Sequence, residues 1–147
     1  MKTALKATDV RRNWSKFIDD IKWVKPAFIK RNRDIIAVLP FDLLEFILKE
    51  YKLTVKVTQE EDGSYTGIIN EMDLMTNAPD IESLKIKIAK ELKEYSEEYM
   101  DEFRLYYNGT NRKNHFPYVY RIILVSDDIG KVKELFSLSF KLKKKAS

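Results

Sequence analysis

The chain has 147 residues, of which 44% are hydrophobic, 34% are charged and none is cysteine. That composition suits one medium or two small soluble globular domains, and it excludes disulfide scaffolds and thiolate metal sites. The net charge of +4 conceals a sorting: residues 1–33 hold ten Lys/Arg against three Asp, residues 52–139 hold twelve Lys/Arg against sixteen Asp/Glu, and a Lys-rich stretch closes the sequence. Such asymmetry points to a polyanion-binding end. The opening MKTALKATDV lacks the apolar segment of a signal peptide, and no run approaches the ~18 apolar residues of a membrane span. A soluble cytoplasmic protein that makes no membrane contact is expected.

In chain order, residues 3–7 read as a short strand. Thr8 is placed to cap a helix, with Asp9 near the positive end of its dipole. Val10, Trp14, Phe17, Ile18 and Ile21 recur at i, i+4, i+7, i+8 and i+11, one amphipathic stripe. Lys25-Pro26 ends that helix. Residues 27–29 and 34–39 pair as strands around a tip made of Lys30, Arg31, Asn32 and Arg33. Pro40 leads into a second helix carrying Leu43, Leu44, Ile47, Leu48 and Tyr51 on one face, with Phe46 off it. This β-α-β-β-α block, residues 1–51, is small enough that it would bury only ~60% of its unfolded surface. Its large apolar residues exceed what so small a core can hide, so Trp14, Phe17, Phe28 and Phe46 are expected at a homodimer interface.

A second block covers residues 52–139. LTVKVT and SYTGIIN read as strands joined by QEEDG, where Asp62-Gly63 is a strong hairpin signal. A third short strand is expected near 74–77. Asp80 then starts the longest helix, with Ile81, Leu84, Ile88, Leu92, Tyr95, Tyr99, Phe103 and Tyr106 at three-four spacing, ended by Asn108-Gly109. Residues 118–125 have strand composition, yet Pro117 suits a helix start. Ser126 is placed to cap a last helix over 127–138, and residues 140–147 form a basic tail.

Little here suggests catalysis. His115 is the sole histidine and reads as a surface or packing residue. Glu97, Glu98, Asp101 and Glu102 read as a solvated helix face. The four glycines form no phosphate-cradling pattern. No metal, no cofactor and no enzymatic activity is expected. The basic residues say more. Arg11 and Arg12 are expected in the first turn of the first helix, a placement that costs roughly 0.3–1 kcal/mol each unless an anion is near.

ATDVRRNWSKFIDDI followed by KPAFIKRNRDIIAVLPFDLLEFI resembles the N-terminal domain of Phd/YefM-type antitoxins over residues 3–50. The family pattern is a short strand, R-x-N-L-S at the start of the first helix, then P-V-x-I-T-R-N-x-x-x-A-V-L and a second helix. Arg11, Asn13 and Ser15 match the first motif, with Trp14 in place of Leu. Pro26, Ile29, Arg31, Asn32, Ala37, Val38 and Leu39 match the second. The resemblance implies a dimer, or a higher even oligomer, that binds palindromic operator DNA and represses its own operon. It carries DNA contacts onto Arg11, Asn13, Ser15 and Arg31, with Arg12, Lys16, Lys30 and Arg33 as flanking contacts, and it implies a cognate toxin protein as partner.

Residues 52–106 are more weakly similar to HicB-type antitoxins, through Glu60, Asp62, Gly63 and Tyr65. The similarity implies a degenerate RNase H-like module without catalysis, with Ala78-Pro79 where a glycine precedes the helix in that family. The fold class expected is therefore α+β: a YefM-like β-α-β-β-α module, then a HicB-like ββ(β)α module with C-terminal helices. The competing reading is a protein-interaction scaffold that kept an antitoxin-derived fold and lost DNA binding. An RNase H-like nuclease fits poorly, because Glu60, Glu61 and Asp62 fall in a turn.

Overall fold

A computed structural model describes residues 1–141, so Lys143, Lys144 and Lys145 of the expected basic tail lie outside the described residues. The chain is mixed α and β, and it divides into two compact units, Met1–Ile47 and a second from Leu48 onward. Among the described residues no helix is long and apolar enough to cross a membrane.

The first unit contains β1 (Leu5–Lys6), α1 (Ala7–Arg12), α2 (Trp14–Trp23), β2 (Ala27–Arg31) and β3 (Asp34–Val38), with α3 (Phe41–Leu48) reaching the junction. Its sheet has the order β1-β2-β3; β1 runs parallel to β2, and β2 antiparallel to β3. Val10, Phe17 and Ile21 form the core over Ala27, Ile29 and Val38.

The apolar stripe predicts one helix across residues 10–21, but the chain breaks at Asn13 (φ −120°, ψ 41°). The Asn13 side-chain amide and backbone N–H both donate to the Asp9 carbonyl, at 3.2 and 3.1 Å. Such a local bond offers the backbone an alternative to helical pairing. Arg11 and Arg12 consequently occupy the last turn of α1, not the first turn of a long helix. Cations are favoured there, and the expected dipole cost does not arise.

The second unit contains β4 (Leu53–Gln59), β5 (Tyr65–Ile69), β6 (Leu74–Ala78), α4 (Ile81–Asp101), α5 (Phe103–Tyr107), α6 (Phe116–Ile123), α7 (Ile129–Glu134) and β7 (Phe136–Phe140). Its sheet order is β6-β5-β4-β7. Asp80 caps α4 by accepting from the Ser83 N–H at 2.8 Å. Leu84, Ile88, Leu92 and Tyr99 of that helix are fully buried beside Val55 and Val57 of the sheet. Gly67 permits this closeness, since a Cβ there would lie 2.8 Å from Val55 Cγ1 and 3.1 Å from Ile88 Cδ1. Gly63, with φ at 85°, turns the β4–β5 hairpin.

After α5, one open reading is decided and two expectations change. Residues 118–125 are mainly helical, because Pro117 starts α6 and Val119 and Ile122 pack inward. The last helix is short and is capped by Asp128, whose carboxylate accepts from the Gly130 N–H at 2.9 Å; Ser126 instead donates to the Ile123 carbonyl. Residues 136–138, expected in that helix, and Phe140, expected in the tail, belong to β7 (Phe136–Phe140), parallel to β4 with Leu53 opposite Phe136.

A fragment of residues 48–147 is expected to fold alone, with cooperative melting and mixed circular dichroism. Its core is its own, and the Tyr51 carbonyl accepts from Arg121 at 2.6 Å. A disordered spectrum would show that the unit depends on residues before Leu48.

Candidate functional site

Positive charge in the first unit collects around one end of the sheet and the adjoining helix junction. Register places Lys6 directly beside Lys30 on neighbouring strands. One residue further, Arg31 pairs with Asp34 across a two-residue turn of Asn32 and Arg33. Asn32 takes φ 55°, a left-handed conformation that Asn tolerates better than most side chains. Lys6, Lys30, Arg31 and Arg33 are all exposed, and α1 departs from this same end of the sheet. Lys6 was not singled out from sequence. Only the parallel β1–β2 pairing reveals it, and no local pattern encodes that pairing.

The other basic residues sit where α1 meets α2. Arg11, Arg12 and Ser15 are exposed. Asn13 stands at the N-cap of α2 without capping it by its side chain, which is committed to Asp9. The first-turn N–H groups of α2 therefore lack a side-chain acceptor from the cap, an arrangement that suits an anion. Lys16 is exposed and ion-paired with Asp20 at 2.5 Å, so part of its charge is answered within the chain.

Of the aromatic residues expected at an interface, Phe17 lies in the unit's own core, whereas Trp14, Phe28 and Phe46 are exposed. Ile35 and Ile36 on β3 are exposed as well. Strand β3 is an edge of the sheet.

In the second unit His115 is buried and held at both ring nitrogens. Tyr95 Oη lies 2.6 Å from Nδ1, and Asp73 Oδ2 lies 3.2 Å from Nε2. With Tyr95 donating to Nδ1, the Nε2–H donates to Asp73. Burial pushes the Tyr95 phenol up to about 12, with the Arg112 charge partly opposing it. A phenol so shifted is a poor nucleophile near neutrality, so the arrangement supports positioning better than covalent chemistry. Among the described residues no three His, Cys, Asp or Glu side chains are placed to hold a metal. Glu97, Glu98, Asp101 and Glu102 are exposed on or just after α4.

Tyr95→Phe should destabilise the second unit by roughly 1–3 kcal/mol, because it leaves His115 Nδ1 without its donor. It should also remove an alkaline signature. Below pH ~10 both folded and unfolded chains keep the Tyr95 proton; above it the unfolded chain loses the proton first. Stability should therefore fall as pH rises from about 10 to about 12, and less steeply in the variant. Denaturant unfolding across that range measures both effects.

A family model described as antitoxin of toxin–antitoxin, RelE/RelB, TA system (PHD-like) matches residues 1–138. A crystal structure of an antitoxin part of a candidate toxin/antitoxin system from Syntrophomonas wolfei subsp. wolfei is 33% identical. The alignment covers 94% of this chain and 99% of that one, with a TM-score of 0.87. No curated protein matches the chain.

Proposed function

Because the chain belongs to the PHD-like antitoxin family of toxin–antitoxin systems, we propose that it is a cytoplasmic, dimeric autorepressor whose first unit binds operator DNA and whose partner is a cognate toxin protein. The role is regulatory and not catalytic. The observation that carries the DNA reading is the convergence of Lys6, Lys30, Arg31 and Arg33 at one end of a small sheet. Arg11, Arg12 and the uncapped start of α2 add donors suited to phosphate. The first unit is read as Phd/YefM-like and the second as HicB-like, with residues 1–51 and 52–139 as the working modules.

The proposed dimer rests on the thin core of the first unit. Val10, Phe17 and Ile21 are its buried apolar residues, while Trp14, Phe28, Ile35 and Ile36 remain exposed. A second copy is the simplest cover for them.

Binding to the DNA upstream of the chain's own reading frame, against random DNA of equal length, tests the operator reading. Preference for the upstream DNA by at least tenfold is expected, since specific sites typically exceed non-specific binding by far more. Equal affinity would favour the scaffold alternative, which the commitment of Asn13 to Asp9 and of Lys16 to Asp20 supports.

A further inference from the structure

The second unit carries a cleft that operator binding does not use. Its volume is about 710 Å³. Asp73 and His115 line it together with Tyr51, Tyr107 and Tyr118, and Glu71 supplies a second carboxylate.

Asp73 is both anchored and presented. It adopts φ 51° at the end of a 3-10 turn, and its Oδ2 is engaged by the buried His115. Its side chain nevertheless stays 70% exposed, and within the described residues Oδ1 accepts no hydrogen bond. Glu71 Oε2 is shielded from solvent and also accepts none. One lining aromatic face, that of Tyr107, already attracts a cation of the chain. Lys113, itself a lining residue, has its Nζ 5.3 Å from the centre of that ring.

Carboxylates with unused acceptor sites beside aromatic faces make a receptor for a planar cation, which can fork onto a carboxylate while stacking on a ring. Anionic ligands would meet Glu71 and Asp73 as like charges, against Lys113 as the single lysine of the lining. We propose that this cleft receives an arginine side chain of a partner protein, with Asp73 as the anchoring carboxylate and His115 as its positioning residue. The excess of sixteen Asp/Glu over twelve Lys/Arg in residues 52–139 favours a basic partner. The antitoxin reading supplies a protein partner but not this site, and the test uses arginine alone, so the two can fail separately.

His115 is the only histidine, so its ring resonances report on the cleft without ambiguity. The full chain would be titrated with N-acetylarginine amide, followed by NMR and by calorimetry. N-acetyllysine amide, N-acetylcitrulline amide and adenosine monophosphate serve as comparisons. Saturable shifts of His115 with the arginine probe are expected, with weaker binding of lysine and none of citrulline, which keeps the shape and lacks the charge. Asp73→Asn should weaken arginine binding by about tenfold, the loss expected for one charge-assisted hydrogen bond. Asn accepts the left-handed conformation, so the fold should be kept. Glu71→Gln should weaken binding less. Citrulline binding as well as arginine, unchanged affinity in Asp73→Asn, or tighter binding of the nucleotide would overturn the proposal.

Discussion

Arg31→Ala should flatten the salt dependence of operator binding by about 2 in log–log slope, because a dimer loses two phosphate contacts at once. A dimer neutralising about six to eight phosphates should show a wild-type slope of roughly −5 to −7. Arg31 ends β2 at the hairpin, paired with Asp34 and one residue beyond the Lys6–Lys30 pair. Arg11→Ala should act similarly from the α1–α2 junction. If either arginine reads a base edge instead, its loss should relax specificity at one position by about 1–3 kcal/mol per contact. Binding to the upstream DNA at several salt concentrations, wild type against both variants, separates these outcomes. Variants that bind like wild type would reduce the tip to a solvated turn.

Phe28→Asp should convert the proposed dimer into monomer. Register sets Phe28 opposite Ala37 and Lys30 opposite Ile35. Strand alternation then places Phe28, Ile35 and Ala37 on the sheet face away from the core residues Ala27, Ile29 and Val38. Burying one phenylalanine is worth roughly 1.5–3 kcal/mol, and a symmetric dimer would lose two, or about a hundredfold or more in dimer Kd. Sedimentation at micromolar concentration is the measurement. A wild-type chain that sediments as monomer would remove the dimer and the operator reading together.

Much of the secondary structure was legible locally. The two hairpins announce themselves through turn residues: Asn32 and Gly63 take the positive φ that their neighbours would resist. Asp80 marks the start of α4, and the three-four stripe predicts its buried residues Leu84, Ile88, Leu92 and Tyr99. What failed was decided by partners distant in sequence or by single side-chain bonds. Periodicity carries Val10, Trp14 and Phe17 on one helix, yet an amide on Asn13 breaks it and leaves Trp14 outside. Residues 136–140 alternate Phe136, Leu138 and Phe140 with serines, a strand pattern hidden behind the helix that Ser126 was expected to cap. At the sites, the arginines stood out by motif. Lys6 and the Tyr95–His115–Asp73 contact did not, since only folding brings their partners beside them.

The parallel pairing of β7 with β4 sets an order of assembly. On the ribosome the first unit's strands and helices emerge early, and β1 has only to wait for β2. Strand β4 emerges long before its outer neighbour, Phe136–Phe140. Contacts that join distant parts of a chain form slowly, and domains tend to fold in order of synthesis. Until β7 has emerged, the β4 edge that it will cover is open to other strands. A nascent chain would therefore carry the first unit's basic end complete while the second unit's sheet still lacked its closing strand.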